Sequence, residues 1–481
     1  MLIQHSVIYF FSRALPGLVN LIALAIYTHL LGPDEYGRYA LVIYGVGLAN
    51  TLLYWWLRLS LIRFASRHIP SNASVFMATL LTGFGLASGV AALITFAAVQ
   101  FIDDTHLRLI IIFSLLLLWA QAWYELNLEL IRSRFSPTYY GVLSLARAVL
   151  ALLIGASLAW AGYAAWGLLT GFFVSMLLPG IWEVLKSWRS LHLKECDYGL
   201  LRRFLSYGLP LIGVFGLEYV ISSSDRFMLG WLVGTASTGT YSAAYDLINQ
   251  SLIMLMNVIY LAGYPLIVKA LESEGEQAAR TLLTKHFTLL LMIGLPATIL
   301  VSILASGISG TILGSDFQRD AAAIIPLVAL GTLFSGLKVF YFDIGFQLAN
   351  RTSRQLLVVA VPALLNVLLN LWWIPSMGVI GAALATFVAY LCALLLSWYL
   401  GRREYFMPVF SVDVGKVLLA SAVMMSVTIA IVGRYDQSSF FKWGLMAVLM
   451  LGIYGILVVI LNVCGARTWL MERLKASLQP R

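Results

Sequence analysis

Residues 139–185 read YYGVLSLARAVLALLIGASLAWAGYAAWGLLTGFFVSMLLPGIWEVL: two long apolar runs meeting at Gly162, with Arg147 inside the first and Glu183 near the end of the second. A run of roughly 20 apolar residues matches a hydrocarbon core about 30 Å thick, and unbroken Leu, Ile, Ala and Val without alternation specify helices rather than barrel strands. The same pattern fills the chain. Spans fall at 6–31, 39–57, 76–101, 107–131, 139–161, 164–185, 204–233, 239–268, 286–313, 321–348, 356–374, 379–400, 412–432 and 443–461. That makes about fourteen by length and apolarity. With 61% hydrophobic and 11% charged residues, and a mean hydropathy of +0.89, too few polar side chains remain to coat a soluble core. The expected fold is all-α, a polytopic membrane protein.

Positive residues in short loops stay on the cytoplasmic side. Arg58, Arg63, Arg132, Lys186, Arg202, Lys269, Arg280, Arg351, Arg402 and Arg467, with their basic neighbours, fall on one side, against Arg38, Arg108, Arg319, Arg434 and Lys442 on the other. Both termini are therefore expected in the cytoplasm, and Met1 to Leu31 reads as a retained first span rather than a signal peptide. The net charge of +9 is explained by these loops and by anionic lipid, without nucleic acid. Cys196, Cys392 and Cys464 are widely separated and the six histidines show no ligand spacing. No disulfide framework, metal or cofactor is expected.

The chain repeats itself weakly. Ser12-Arg13-Ala14-Leu15-Pro16 matches Ser206-Tyr207-Gly208-Leu209-Pro210, Gly37-Arg38-Tyr39 matches Gly239-Thr240-Tyr241, and Gly162 with Thr170 matches Gly378 with Thr386, in order and at slowly growing offsets. An even number of helices per copy returns the chain to the same side, so the expectation is two parallel-repeat six-helix bundles around a central cleft. The segments are 1–200, an N-terminal bundle with a cytoplasmic linker, 201–401, a C-terminal bundle, and 402–481, two peripheral helices and a tail.

Three stretches carry a family resemblance: Leu31-Gly32-Pro33-Asp34-Glu35-Tyr36-Gly37-Arg38-Tyr39, Asp225-Arg226-Phe227-Met228-Leu229-Gly230, and Asn366 through Asn370, Pro375, Gly378, Gly381, Ala382, Ala383 and Ala385 to Thr386. The set resembles the polysaccharide-transport branch of the MOP flippase superfamily, the Wzx-type O-antigen flippases. The resemblance implies a transporter rather than an enzyme, moving an undecaprenyl-diphosphate-linked oligosaccharide of O-antigen, capsule or exopolysaccharide across a bacterial cytoplasmic membrane. It also implies alternating access, a possible coupling ion such as a proton or sodium, and a possible glycan polymerase in the same membrane. The residues have structural readings as well. Gly32-Pro33 and Gly37 suit a tight turn, Asp34 and Glu35 suit a helix start, and the Gly/Ala cluster suits close helix packing. Asn366 and Asn370, one turn apart, either bond across helices or meet sugar hydroxyls.

Charges within spans are costly and so are informative. Arg13 and Arg147 lie about 10 Å inside the cytoplasmic boundary at 1.5 Å per residue. Either arginine is placed to bind a lipid diphosphate, or else snorkels or pairs with Glu125 or Glu129. Glu218 is the deepest acid and the candidate for ion coupling. Asp225, Arg226 and Asp246 form a candidate gate, as an Arg226 to Asp246 pair or by neutralisation within one helix end. Lys338 and Asp343 are expected to snorkel. Pro16 and Pro210, equivalent in the two repeats, are candidate hinges. Tyr54, Trp55, Trp56, Trp119, Trp123, Tyr124, Trp372 and Trp373 read mostly as interface anchors.

Two other readings compete: a cation-coupled multidrug exporter of related fold, which calls for an acidic interior, and a membrane-embedded polymerase or acyltransferase, which calls for a catalytic constellation that no loop supplies. The orientation is directly testable. In a chain stripped of its own cysteines, single cysteines replacing Ser237 and Ser376 will react with an impermeant thiol reagent from outside, and labelling at Ser190 from that side would reverse the topology.

Overall fold

The computed structural model describes residues 2–134, 136–188, 195–349, 351, 354–432, 440–468 and 470–472, with side chains from Ala14 onward except at 67, 69–71, 184–187, 432, 440 and 441. Among these residues the chain is helical with no strand. Eleven stretches are long and apolar enough to cross a membrane, and two of them, Pro137–Glu183 and Gln355–Glu404, are each double length. Both fold back at a glycine. Together with the first helix they give fourteen segments. These are α1 (Leu2–Leu30), α2 (Pro33–Ser66), α3 (Asn72–Gln100), α4 (Thr105–Ser133), α5 (Pro137–Leu158), α6 (Ala164–Ser187) and α7 (Tyr198–Leu232). The rest are α8 (Thr235–Ser273), α9 (Glu276–Ile303), α10 (Gln318–Leu337), α11 (355–377), α12 (379–404), α13 (Val412–Val432) and α14 (Phe440–Ile460).

Local chemistry sets the breaks. Asn72 leaves helical geometry (φ −158°, ψ 82°), and its side chain accepts from Val75 N at 3.3 Å, capping the restarted α3. Asp104 caps α4 through His106 N at 2.8 Å, and Asp197 caps α7 through Gly199 N and Leu200 N at 2.8 and 3.1 Å. Pro33 occupies the first turn of α2, with Asp34 and Glu35 beside it at the positive end of the helix. Gly32 itself sits at φ −70° with nothing near its Cα hydrogens, so the turn does not require a glycine there.

The chain divides into two compact units, Met1–Gly239 and Thr240–Arg481. In the first, α2, α3, α4 and α7 share a core of Leu57, Leu61, Phe76, Leu80, Leu130 and Phe204. The α5–α6 hairpin closes on small residues: a methyl on Gly171 would lie 2.5 Å from Gly155 N. Tyr27 OH ties α1 to α5 by donating to Ala151 O at 2.7 Å. α7 packs on α2, where Gly208 lies against Trp56 with no room for a Cβ.

In the second unit, α10 continues through a π turn, Lys338–Phe342, into Asp343–Leu348. Such a turn loosens the backbone ladder, and the Phe340 carbonyl here lies 3.0 Å from Nε2 of the buried His286. Lys338 Nζ donates to Asp343 Oδ2 at 2.7 Å, and Ser397 Oγ donates to Asp343 Oδ1 at 2.6 Å. The pair is buried and does not snorkel, because α11 and α12 enclose that part of α10 and leave no path to an interface. α13 and α14 lie against α9 and the short helix Ala305–Ile312. Trp443 Nε1 bonds Thr311 Oγ1 at 2.7 Å and Tyr454 OH bonds Met292 O at 2.9 Å.

Outward apolar stripes complete the picture. Leu86, Val90, Leu93, Ile94 and Phe96 of α3 are all exposed on the protein surface, as lipid-facing side chains are where no water competes.

The two hairpin breaks share a backbone conformation. Gly378 lies at φ 56°, ψ −129° between α11 and α12, and Ala164 lies at φ 46°, ψ −130° after Gly162 (φ 94°). The two turns thus share a shape, and at the first an alanine stands where glycine conformational freedom is needed. Replacing Ala164 by glycine should stabilise the protein by about 1–3 kcal/mol, the usual cost of such strain. A lower or unchanged melting temperature for Ala164→Gly would contradict this account.

Candidate functional site

The interior of the first unit holds polar side chains on α2, α4, α5 and α6. α2 does not end at Leu57, as hydropathy predicts, but runs on to Ser66, so Arg58 lies inside the helix and not at its end. Its guanidinium pairs with Glu125 of α4 and stands 4.1 Å from the Trp55 ring. The Glu125 carboxylate also accepts from Asn50 Nδ2 at 2.8 Å and from Gln121 Nε2 at 2.9 Å. Glu125 is therefore held by Arg58, 67 positions away, which sequence reasoning missed when it offered Glu125 to Arg13 or Arg147. The spacing Trp55 to Arg58, one helical turn, was the available signal. The longer α2 also moves Tyr54 and Trp56 away from an interface: both are buried in the core, as is Tyr124, whereas Trp372 is exposed.

Arg147, on α5, is half-buried. Its guanidinium lies 5.5 Å from the Phe172 ring of α6. Tyr124 OH is spent on Leu143 O at 3.2 Å. Arg147 makes no ion pair or hydrogen bond with another described residue. It is a cation with nothing of opposite charge attached, beside aromatic rings. The Arg13 side chain lies outside the described residues.

A second polar cluster closes the α1–α2 turn. Arg38 bridges Asp34 and Glu35 at 3.0 and 3.1 Å, Asp34 accepts from Thr235 Oγ1 at the start of α8, and Glu35 accepts from Ala165 N at the start of α6 at 3.2 Å. There Gly37 and Gly239 pack directly on each other's helices. A methyl at Gly37 would overlap the Thr235 carbonyl, and one at Gly239 the Pro33 carbonyl. Gly37 thus serves a helix crossing, not the turn. Arg226 and Asp225 are fully enclosed nearby on α7: Arg226 NH1 lies 3.3 Å from Asp225 Oδ1 and 2.6 Å from Ser222 O, and the guanidinium is 3.9 Å from the Tyr44 ring.

The remaining predicted residues are dispersed. Glu218 is half-buried on α7, and Asp246 half-buried on α8 in the second unit. Asn366 and Asn370 are fully enclosed in the second unit, with Asn370 Nδ2 donating to Asn366 Oδ1 at 3.0 Å and Asn366 Nδ2 to Thr386 Oγ1 at 3.4 Å. Pro16 is buried and Pro210 exposed, and the helix runs on through each.

Comparison with known proteins agrees with this architecture. A family model described as "Polysaccharide biosynthesis protein" matches residues 26–322. The probable flippase AglR of Haloferax volcanii is 26% identical over 168 residues, and the uncharacterized membrane protein MJ1068 of Methanocaldococcus jannaschii is 23% identical over 211 residues. The matched segments span 34% and 40% of those relatives, and 34% and 42% of this chain. Among solved structures, the lipid II flippase MurJ in an inward closed conformation superposes with a TM-score of 0.77 over 96% of this chain and 99% of its own, at 13% identity. An inward-facing multidrug resistance MATE transporter of the MOP superfamily gives 0.63 over 82% and 97%, also at 13% identity. Such low identity speaks to fold. The chain belongs to the polysaccharide biosynthesis protein family.

Proposed function

We propose that this protein flips an oligosaccharide linked to undecaprenyl diphosphate from the inner to the outer leaflet of a bacterial cytoplasmic membrane, with both its termini in the cytoplasm. The observation that carries this reading is Arg147. Arg58 and Arg226 have carboxylate partners, while Arg147 stands beside Phe172 without one among the described residues. An uncompensated guanidinium within a span is costly unless an anion or water meets it, and its planar fork suits phosphate oxygens. Arg13 on the neighbouring α1 is its companion in this scheme, with Asn366 and Asn370 as further substrate contacts.

The repeats 1–200 and 201–401 are the bodies that rock in alternating access, with bends at Pro16 and Pro210. The crossing at Gly37 and Gly239 is the outer closure, where glycine alone lets α2 and α8 touch, and Asp34, Glu35 and Arg38 secure it. Asp225, Arg226 and Asp246 belong to the same closure. Glu218 is the coupling acid, taking a proton or sodium, and a glycan polymerase is the downstream partner. A drug exporter of related fold is the second reading, and the unpaired Arg147 disfavours it, since organic cations call for an interior of opposite sign.

The test is transport of a lipid-linked oligosaccharide by the reconstituted protein, or rescue of surface-glycan assembly in a strain lacking its flippase. Arg147→Lys should retain partial activity. Arg147→Ala should lower it about 10- to 100-fold, as expected for losing charged hydrogen bonds worth about 1.5–3 kcal/mol, and Arg147→Glu should lower it further. Arg13 should follow the same series, while Arg402→Ala, in the last turn of α12, should have little effect. Full glycan assembly by Arg147→Glu would defeat the reading.

Coupling is tested separately. Glu218→Gln keeps the side-chain shape but cannot titrate, so substrate binding should persist while gradient-driven transport falls. Transport by this variant that matches the parent across pH would remove Glu218 from the mechanism.

A further inference from the structure

Among the described residues three ion pairs lie inside the protein, and one of them stays partly exposed. Arg226 with Asp225 is wholly enclosed, and Lys338 with Asp343 nearly so, the latter anchored again by Ser397. The Arg58 and Glu125 side chains are 11% and 25% exposed, and two buried atoms of their cluster, Arg58 Nε and Asn50 Oδ1, have no partner. Here the carboxylate is reached through NH1, and the Nε donor stays unfilled.

Each partner also has a second set of contacts. Without Arg58, the Glu125 carboxylate still accepts from Asn50 at 2.8 Å and Gln121 at 2.9 Å. Without Glu125, the guanidinium still rests 4.1 Å from the Trp55 ring. Separation therefore strands neither charge, which is what ordinarily forbids breaking a buried pair. We propose that Arg58 and Glu125 form an anion-exchange site: Glu125 fills, at rest, the place on Arg58 that a phosphate group of the substrate takes during transport. The proposal rests on the flippase reading above. It adds that the resting protein supplies its own competing anion, so that phosphate is held only while Glu125 has withdrawn to its amide partners, and is expelled when Glu125 returns.

The site also lies in the interior that contains Arg147. Glu125 adjoins Tyr124 on α4, and Phe172, the ring beside Arg147, packs in the same cluster as Tyr124. A diphosphate has two phosphate groups to distribute, and these two arginines offer separate places for them.

Inorganic pyrophosphate is the probe, titrated against the purified full chain in detergent. E125Q removes the competing charge and keeps the hydrogen-bonding shape, so it should bind pyrophosphate about tenfold more tightly, as removal of a self-occluded state requires. The double variant R58Q/E125Q should lose that gain. E125D, which keeps the charge but draws it back by one methylene, should also bind more tightly than the parent and serves if E125Q does not fold. Equal or weaker binding by the variant that folds would overturn the proposal. So would full transport by the charge-swapped R58E/E125R, because a simple strut between helices works in either polarity. Neither result touches the flippase reading, which transport of the lipid-linked oligosaccharide decides by itself.

Discussion

Hydrocarbon does not solvate charge, and that constraint orders everything in this molecule. With about 2.5–3.5 kcal/mol at stake for each charge placed at mid-span, the chain either pairs an ion, encloses it or gives it a role. Arg226 takes Asp225, Ser222 O and the Tyr44 ring; Lys338 takes Asp343; Arg58 takes Glu125. Arg147 has an aromatic neighbour and no described counter-charge. The distinction between these arginines is physical and does not depend on any comparison with other proteins.

The same solvent forces the backbone to keep its hydrogen bonds inside each helix, so helices associate through shape. Glycine therefore marks the close approaches. Gly171 meets Gly155 within the α5–α6 hairpin, and Gly381 approaches Trp373 O to 2.5 Å for an added methyl in the α11–α12 hairpin. Gly37 and Gly239 likewise let α2 and the start of α8 cross in contact.

Much of this was legible in the sequence because hydropathy and glycine act locally. The run 139–185 read as two spans on either side of Gly162, and the gaps left between the spans at 161–164 and 374–379 enclose both hairpin breaks. Pairing was not legible. Arg58 and Glu125 are 67 positions apart, and apolarity falls off at Leu57 while the helix continues to Ser66. That error hid Arg58 among loop residues, and it also made Tyr54 and Trp56 look like interface anchors when they are core. Lys338 and Asp343 were visible as charges near a helix end, but a π turn lets residues five apart meet, and only the packing of α11 and α12 seals them from the interface.

The contrast among the three pairs lies in how far each is enclosed. Removing one partner of a buried pair costs about 3–5 kcal/mol. Asn50, Gln121 and Trp55 lower that cost at Arg58 and Glu125 by offering each ion somewhere else to rest.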